Sequence, residues 1–294
     1  MEKASSSGKR TIYLVYTLGV PGLGKSSLVN KMKDAVKEIE DSAIEVCVSD
    51  EIRSGYLAKE YGRRALDLDN TSQEDIFRIE LECGPKIKEE LTNQIKLKLA
   101  KLSLGETKTN IFVLDKNHCT QDLISFIWNE AELAFACAQV EGRVLVADLF
   151  DKDETPQFYP FSFDTLTIGL TRSLNREGHP TMKYGKVHSL LSFITCLQNH
   201  LNDNFDLKFP QDNYKRIKVG YYNRQTVANF KKNGHNDIAY KRLEHLVSSL
   251  AHKTVSVSEG APSVITALGQ LKEMNEYINF DNDYMRDIIL QYLI

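Results

Sequence analysis

One stretch near the start of the chain constrains the fold more than any other. An apolar segment, Ile12–Leu18, runs into a loop with the spacing Gly-x-x-x-x-Gly-Lys-Ser at residues 19–26, and a helical pattern follows directly. Strand, glycine loop and helix in this order predict a phosphate-binding P-loop. The glycines let several backbone N–H groups point at one anion, and the positive end of the helix adds to the attraction. We therefore expect the chain to bind a nucleoside triphosphate, ATP or GTP.

Two side chains of this loop have specific expected roles. Lys25 is expected to contact the β- and γ-phosphates, and the Ser26 hydroxyl to bind Mg²⁺. The predicted nucleotide-binding residues are Gly19, Gly22, Leu23, Gly24, Lys25, Ser26 and Ser27.

Strand and helix patterns alternate after the P-loop. This alternation predicts an α/β fold of the P-loop NTPase and kinase type, in which a parallel sheet carries helices on both faces. Ligands bind such sheets beyond the carboxyl ends of the strands, where Asp50 and Asp115 each follow an apolar run. Asp115 is a candidate ligand of Mg²⁺ or its water shell. The further predicted strands are 43–49, 110–114 and 143–150, and the predicted helices include 73–104, 121–140, 161–174 and 184–201.

The remaining sequence suggests three parts. Residues 1–9 are expected to be a disordered tail, and residues 10–205 a kinase domain with a lid near 171–184. Residues 206–294 are assigned to a basic, aromatic and helical C-terminal extension. Within 208–242, nine Lys and Arg stand against two acids, with six aromatic residues between them. This pattern fits either a single-strand nucleic-acid surface or a solvated basic face with half-buried tyrosines.

Composition limits the kinds of partner and the cellular compartment that we expect for this chain. A net charge of −3 means that any nucleic-acid surface must be local. The five cysteines include no Cys-x-x-Cys pair, which favours a reducing cytoplasmic or nuclear compartment over a disulfide framework or a zinc site. No apolar run is long enough to predict a membrane span.

The residues after the second strand indicate which triphosphate protein this is. A GTP switch needs an Asp-x-x-Gly sequence, and the chain has none. Asp50 and Arg53 instead lie about one helical turn apart, so the carboxylate could accept the proton of an attacking hydroxyl while the guanidinium holds a phosphate of the acceptor. The alternative is that Asp50 caps the helix and that Arg53 is a surface residue.

A second pair of basic residues is expected to act on the donor. Arg172 and Arg176 lie four residues apart, before a glycine-broken segment that is typical of a closing lid. An arginine over the γ-phosphate would neutralise charge during transfer, an effect of ~10³ or more in rate. The alternative is a pair of solvated arginines.

With these residues in place, the chain resembles the polynucleotide 5′-kinase domain of fungal-type tRNA ligases, and more distantly phage-type polynucleotide kinases. The resemblance covers roughly residues 10–200, through the segments 19–26, 49–53, 114–118 and 171–181. It implies that Asp50 is the general base, that Arg53 contacts the substrate phosphate, and that a lid arginine clamps the donor phosphates. It also assigns Asn117 and His118 to the substrate site.

The sequence therefore predicts a kinase that transfers the γ-phosphate of ATP or GTP, with Mg²⁺, to the 5′-hydroxyl of RNA, with DNA as a possible acceptor. Its expected context is RNA repair or tRNA splicing. Two alternatives stay open, a small-molecule P-loop kinase and a nucleotide-gated nucleic-acid binding module.

Overall fold

The computed structural model of the chain describes residues 10–67, 70–136, 140–149, 163–175, 186–202, 214–218, 238–270 and 290–291. Within these residues, strands and helices alternate along most of the chain. The strands are β1 (Arg10–Leu18), β2 (Ser42–Val48), β3 (Thr109–Asp115), β4 (Val140–Asp148) and β5 (Tyr214–Lys218). The helices are α1 (Lys25–Val36), α2 (Ser49–Arg63), α3 (Gln73–Leu104), α4 (Gln121–Ala134), α5 (Phe163–Leu174), α6 (Lys186–Asn202), α7 (Ile238–Ala251) and α8 (Val257–Gln270).

The five strands form one parallel sheet in the order β2-β3-β1-β4-β5. The central strand, β1, pairs with β3 on one side and β4 on the other, so Tyr13 lies opposite both Ile111 and Arg143. The side chains of β1 and β3 are buried almost without interruption, as expected for a sheet covered on both faces. The predicted α/β fold with its parallel sheet is confirmed.

This topology brings the predicted site residues to one edge of the sheet. β1 ends at Leu18 immediately before the P-loop, β3 ends at Asp115, and β2 runs directly into α2, where Asp50 lies. Because the strands are parallel and adjacent, their carboxyl ends share one rim.

The long helix follows its sequence pattern, since α3 spans the predicted residues 73–104. The Ser72 side chain accepts a hydrogen bond from the Asp75 backbone N–H at the start of the helix, which satisfies a donor there. α3 packs against α2, and the two form a helical hairpin with its own small core. That core consists of Leu57, Tyr61, Ile76, Ile79 and Cys83.

The predicted boundary at residue 205 falls inside the sheet domain. β5 comes from the segment assigned to the extension, yet it pairs with β4 in the parallel sheet. α7 and α8 pack on α6 and contribute to the same core as the sheet. Tyr240, counted among the aromatics of the basic stretch, is 2% exposed and packs edge-on against Phe163. At this position the aromatic side chain is part of the core, and the proposed base-stacking surface does not include it.

Two further features concern the chain as a whole. Among the described helices, none is long and apolar enough to cross a membrane. The four cysteines in the described ranges are free thiols, and all four are buried: Cys47, Cys83, Cys119 and Cys196.

Candidate active site

The P-loop takes its shape from two glycines in the left-handed region of backbone space. Gly22 has φ 83° and Gly24 has φ 92°, which side chains with a Cβ rarely adopt. α1 begins immediately after Gly24, so its first N–H groups face the loop. Gly22 also lies against α5, where a Cβ atom on Gly22 would stand 2.0 Å from the Gly169 carbonyl oxygen. The loop and α5 therefore pack backbone to backbone.

Lys25 lies inside this loop. It is 5% exposed, and its Nζ donates to the carbonyls of Gly19 and Val20 at 2.8 Å each. A lysine needs such partners when it is buried, because an unpaired buried ammonium is costly. The two hydrogen bonds hold the charge at the mouth of the P-loop.

A cavity of about 130 Å³, here called the donor cavity, lies over the P-loop. It brings together most of the residues that the sequence analysis had selected from four separate segments. Its lining consists of Pro21, Gly22, Gly24, Lys25, Ser26, Ser27, Val48, Ser49, Asp50, Asp115, Lys116, Asn117 and Arg172. Two predicted nucleotide-binding residues lie behind this lining. The Gly19 carbonyl faces Lys25, and Leu23 is fully buried in the core.

Ser26 and Asp115 place two oxygen-bearing side chains in the lining of the donor cavity. Asp115 is 6% exposed and is hydrogen-bonded to the Ser26 side chain. Burial raises the pKa of Asp115, and the carboxylates of Asp50 and Glu51 raise it further, whereas Lys25 and the Ser26 hydroxyl lower it. A hydroxyl and a carboxylate are hard oxygen ligands of the kind Mg²⁺ prefers, and a cation here would relieve the crowding of negative charge. The residues therefore fit a magnesium ion.

Asp50 is in the first turn of α2 and does not cap it. The residue before the helix is Val48, and Asp50 is the second helical residue, so the alternative in which Asp50 is an N-cap is wrong. A carboxylate in this turn is favoured by the helix dipole. Asp50 is half-buried and lines the donor cavity.

Asp50 also lines a second, larger cavity of about 640 Å³, here called the acceptor groove. The two cavities share Ser49, Asp50, Lys116 and Asn117. The groove runs between the α2–α3 hairpin and the start of α4. Its lining includes apolar side chains, cations and two acids: Ile87, Leu91, Leu123 and Phe126, with Arg53, Lys88 and Lys116, and with Asp50 and Asp122.

Arg53 is held in the groove by a partner that the sequence analysis missed. Its guanidinium pairs with Glu80 of α3 at 2.5 Å, and the Tyr61 hydroxyl donates to the same carboxylate at 3.4 Å. Glu80 is buried, whereas Arg53 remains 42% exposed. The pair orients the fork of Arg53 and leaves part of it accessible. The sequence did contain a signal for Glu80, because this acid lies in a helical pattern whose residues three and four positions away are apolar.

Arg172 fell both in the predicted helix 161–174 and in the predicted lid near 171–184, and the structure places it in the helix. It lies on α5, the helix that packs against the P-loop, and lines the donor cavity from there. Thr171, the first residue of the predicted lid, is buried within the same helix. Arg176 and the rest of the predicted lid beyond 175 lie outside the described residues.

Asn117 and His118 have separate positions. Asn117, which the resemblance assigns to the substrate site, lines both cavities. His118 is not among the described residues that line these two cavities. Its ring lies edge-on to that of His200, with ring centroids 5.0 Å apart. His200 and Cys196, both on α6, contact the Asn117 carbonyl, and the sequence analysis identified neither of them.

A glycine loop between a central parallel strand and a helix, with acidic residues on the same rim, defines a P-loop kinase-like α/β fold. No protein-family model matches the chain, and no curated protein matches it. One solved structure to which it is similar is a fungal RNA kinase, at 13% sequence identity and a TM-score of 0.43. That match covers 84% of this chain and 97% of the other.

Proposed function

We propose that this chain is a Mg²⁺-dependent polynucleotide 5′-hydroxyl kinase that transfers the γ-phosphate of ATP or GTP to the 5′-OH end of RNA. The observation that carries the proposal is that the donor cavity and the acceptor groove share four lining residues and that Asp50 is one of them. A phosphotransferase needs a base at this junction, where the acceptor hydroxyl meets the γ-phosphate.

Three residues that line the donor cavity, Asp50, Lys25 and Arg172, have a part in the proposed transfer. The Asp50 carboxylate accepts the proton of the 5′-hydroxyl while that oxygen forms a bond to the γ-phosphorus. The bond from the γ-phosphorus to the bridging oxygen breaks, and the nucleoside diphosphate leaves. Lys25 and Arg172 offset the negative charge that spreads over the phosphate oxygens.

Ser26 and Asp115 would hold the Mg²⁺ ion, whose charge neutralises the phosphates of the donor. Asp115 lies at the end of β3 and the Ser26 hydroxyl in the first turn of α1, so both ligands are carried by rigid elements of the sheet domain.

The acceptor groove favours a polynucleotide over a small molecule. Its lining continues from Asp50 along α3 to Leu91 and along α4 to Phe126, so the groove reaches beyond the proposed base. Its cations suit backbone phosphates, and its apolar and aromatic faces suit bases. Arg53 is placed to contact a phosphate next to the terminal nucleoside, and the pair with Glu80 orients its fork.

The test is a labelling assay with γ-labelled ATP or GTP, Mg²⁺ and a 5′-OH oligoribonucleotide. We expect label on the 5′ end and none on an oligonucleotide that already carries a 5′-phosphate. A 5′-OH oligodeoxynucleotide and a free nucleoside compare the other acceptor classes. Label on the nucleoside alone would refute the proposal and favour a small-molecule kinase. Binding of the triphosphate with no transfer to any acceptor would favour a binding module.

A further inference from the structure

The two sides of the acceptor groove differ in their charges. The α2–α3 hairpin contributes the cations Arg53 and Lys88 to the lining, whereas α4 contributes Asp122 from its first turn. A backbone phosphate would be attracted to the hairpin side and repelled by the carboxylate of Asp122. The groove therefore favours a strand that turns its backbone toward the hairpin and away from α4.

The two cations of the hairpin are spaced along α3. Arg53 reaches α3 at Glu80, with which it forms its ion pair. Lys88 lies eight positions after Glu80 on the same helix, which corresponds to about 12 Å at the rise of an α-helix. Cations at this spacing can contact two different phosphates of one strand, so the hairpin offers a track for a backbone.

Apolar side chains from α3 and α4 give the groove a second kind of surface. Ile87 and Leu91 lie four positions apart and share a face of α3, and Leu123 and Phe126 share a face of α4 in the same way. Leu91 is buried, whereas the other three are half-buried and keep apolar surface accessible. A phosphate gains nothing from such a surface, but a nucleobase can stack on it.

The ring of Phe126 is held in position by a cation outside the groove. Lys96 of α3 places its Nζ 5.7 Å from the ring centroid and pairs with Glu130 of α4 at 3.4 Å. Lys96 is not among the described residues that line the groove, and the ring of Phe126 is among them. An aromatic ring that is already ordered loses little freedom when a base stacks on it.

We propose that the acceptor groove orients a single strand, with its phosphates along the hairpin at Arg53 and Lys88 and with one of its bases stacked on Phe126. Asp122 keeps phosphates away from α4. The strand has to be single, because a base inside a duplex is already stacked on both faces. This inference rests on the proposed function and deepens it, since it specifies the form of the acceptor and how the acceptor lies in the groove.

The position of the base is tested by fluorescence anisotropy on the full chain, with a 5′-OH oligoribonucleotide that carries a fluorophore at its 3′ end. Phe126→Ala should raise the Kd about tenfold, and Phe126→Tyr, which keeps the ring, should stay near wild type. Leu133→Ala is the matched control, because this side chain is on the same helix and 72% exposed, and it should leave the Kd unchanged. Should Phe126→Ala fail to fold, Phe126→Leu takes its place, because it keeps apolar volume without the ring.

Oligoribonucleotides with one abasic residue, at the first, second or third position from the 5′ end, separate stacking from an indirect effect. At one position, loss of the base should cost wild type about tenfold in affinity and cost Phe126→Ala little. A cost that is the same in both proteins at every position would overturn the proposal. A blunt duplex that binds as tightly as the single strand, with the same loss in Phe126→Ala, would overturn the requirement for a single strand.

The position of the backbone is tested by salt dependence. Lys88→Gln should reduce the slope of log Kd against log salt concentration by about one, the value for one phosphate contact. Lys86→Gln is the control, because Lys86 is exposed on α3 and is not among the described residues that line the groove. An unchanged slope in Lys88→Gln would overturn the placement of the backbone.

Failure of this inference is distinct from failure of the proposed function. If wild type labels the 5′ end and all variants bind RNA equally, the kinase stands and this inference is overturned. If wild type binds the oligonucleotide without phosphorylating it, the proposed function is refuted, and the binding experiments still decide how the strand lies.

Discussion

The tightest backbone contact of the site offers a sharp test of how the P-loop is held. Gly22 has φ 83°, and a Cβ added there would stand 2.0 Å from the Gly169 carbonyl oxygen and 2.8 Å from its carbon. Both distances are below the closest approach of real Cβ atoms to backbone. In Gly22→Ala, either the loop or α5 therefore has to move.

The expected cost combines two contributions. A residue with a Cβ in the left-handed region loses about 1–2 kcal/mol. Relieving an overpacked contact adds about 1–3 kcal/mol, because the carbonyl is part of a helix and cannot rotate away alone. We expect Gly22→Ala to lower the free energy of unfolding by about 2–5 kcal/mol, and to weaken triphosphate binding because the loop N–H groups no longer converge.

The assay is urea unfolding followed by circular dichroism, together with titration of a fluorescent triphosphate analogue. Gly55→Ala is the control, because this glycine lies inside α2 with nothing within 4 Å of the added Cβ. It should raise the free energy of unfolding by about 0.5–1 kcal/mol, since alanine is the better helix former. Equal stability and equal triphosphate affinity in wild type and Gly22→Ala would refute the reasoning.

Three further predictions follow from the site. Asp50→Asn should lower kcat by about 10²-fold or more with little change in triphosphate affinity, because it removes the proposed base, whereas Glu51→Gln, on the exposed neighbouring acid, should stay near wild type in the labelling assay. Glu80→Gln should raise the acceptor KM about tenfold, because Arg53 loses the partner that orients it, and an unchanged KM would contradict this reading. Burial lowers the folded-state pKa of His200 to about 3, below its unfolded value near 6.5, so stability is lost as the pH falls below 6.5, by about 2 kcal/mol at pH 5. Urea unfolding at pH 7 and pH 5 should show that loss in wild type and less of it in His200→Leu.

Features encoded by neighbouring residues could be predicted from the sequence. The P-loop depends on spacing within residues 19–26, and α3 on an apolar repeat that begins at the Ser72 cap, so both matched their predictions. The convergence of Asp50, Asp115 and the P-loop also followed, because the ends of parallel neighbouring strands must share a rim.

Features that depend on contacts between distant segments could not be predicted in this way. The ion pair between Glu80 and Arg53 forms only because α3 packs against α2, so it could not be predicted from either segment alone. His200 lies more than eighty positions from Asn117 along the chain, and a single histidine in an apolar helix reads as core. Tyr240 shows the same limit for the basic stretch, because a count of basic and aromatic residues could not decide between a buried ring and a surface ring.

The packing of α5 against the P-loop has a consequence for how the proposed nucleotide would be bound. Arg172 lies about one helical turn after Gly169, so its backbone is fixed by the same helix that touches Gly22. An arginine carried on a hinged loop has to be ordered at every binding event, and its side chain alone loses up to about 2 kcal/mol of conformational entropy. In this chain, the backbone of Arg172 is already ordered by α5 once the protein has folded. In the proposed transfer, the charge of Arg172 is preorganised, and each turnover begins with the arginine's backbone already in place.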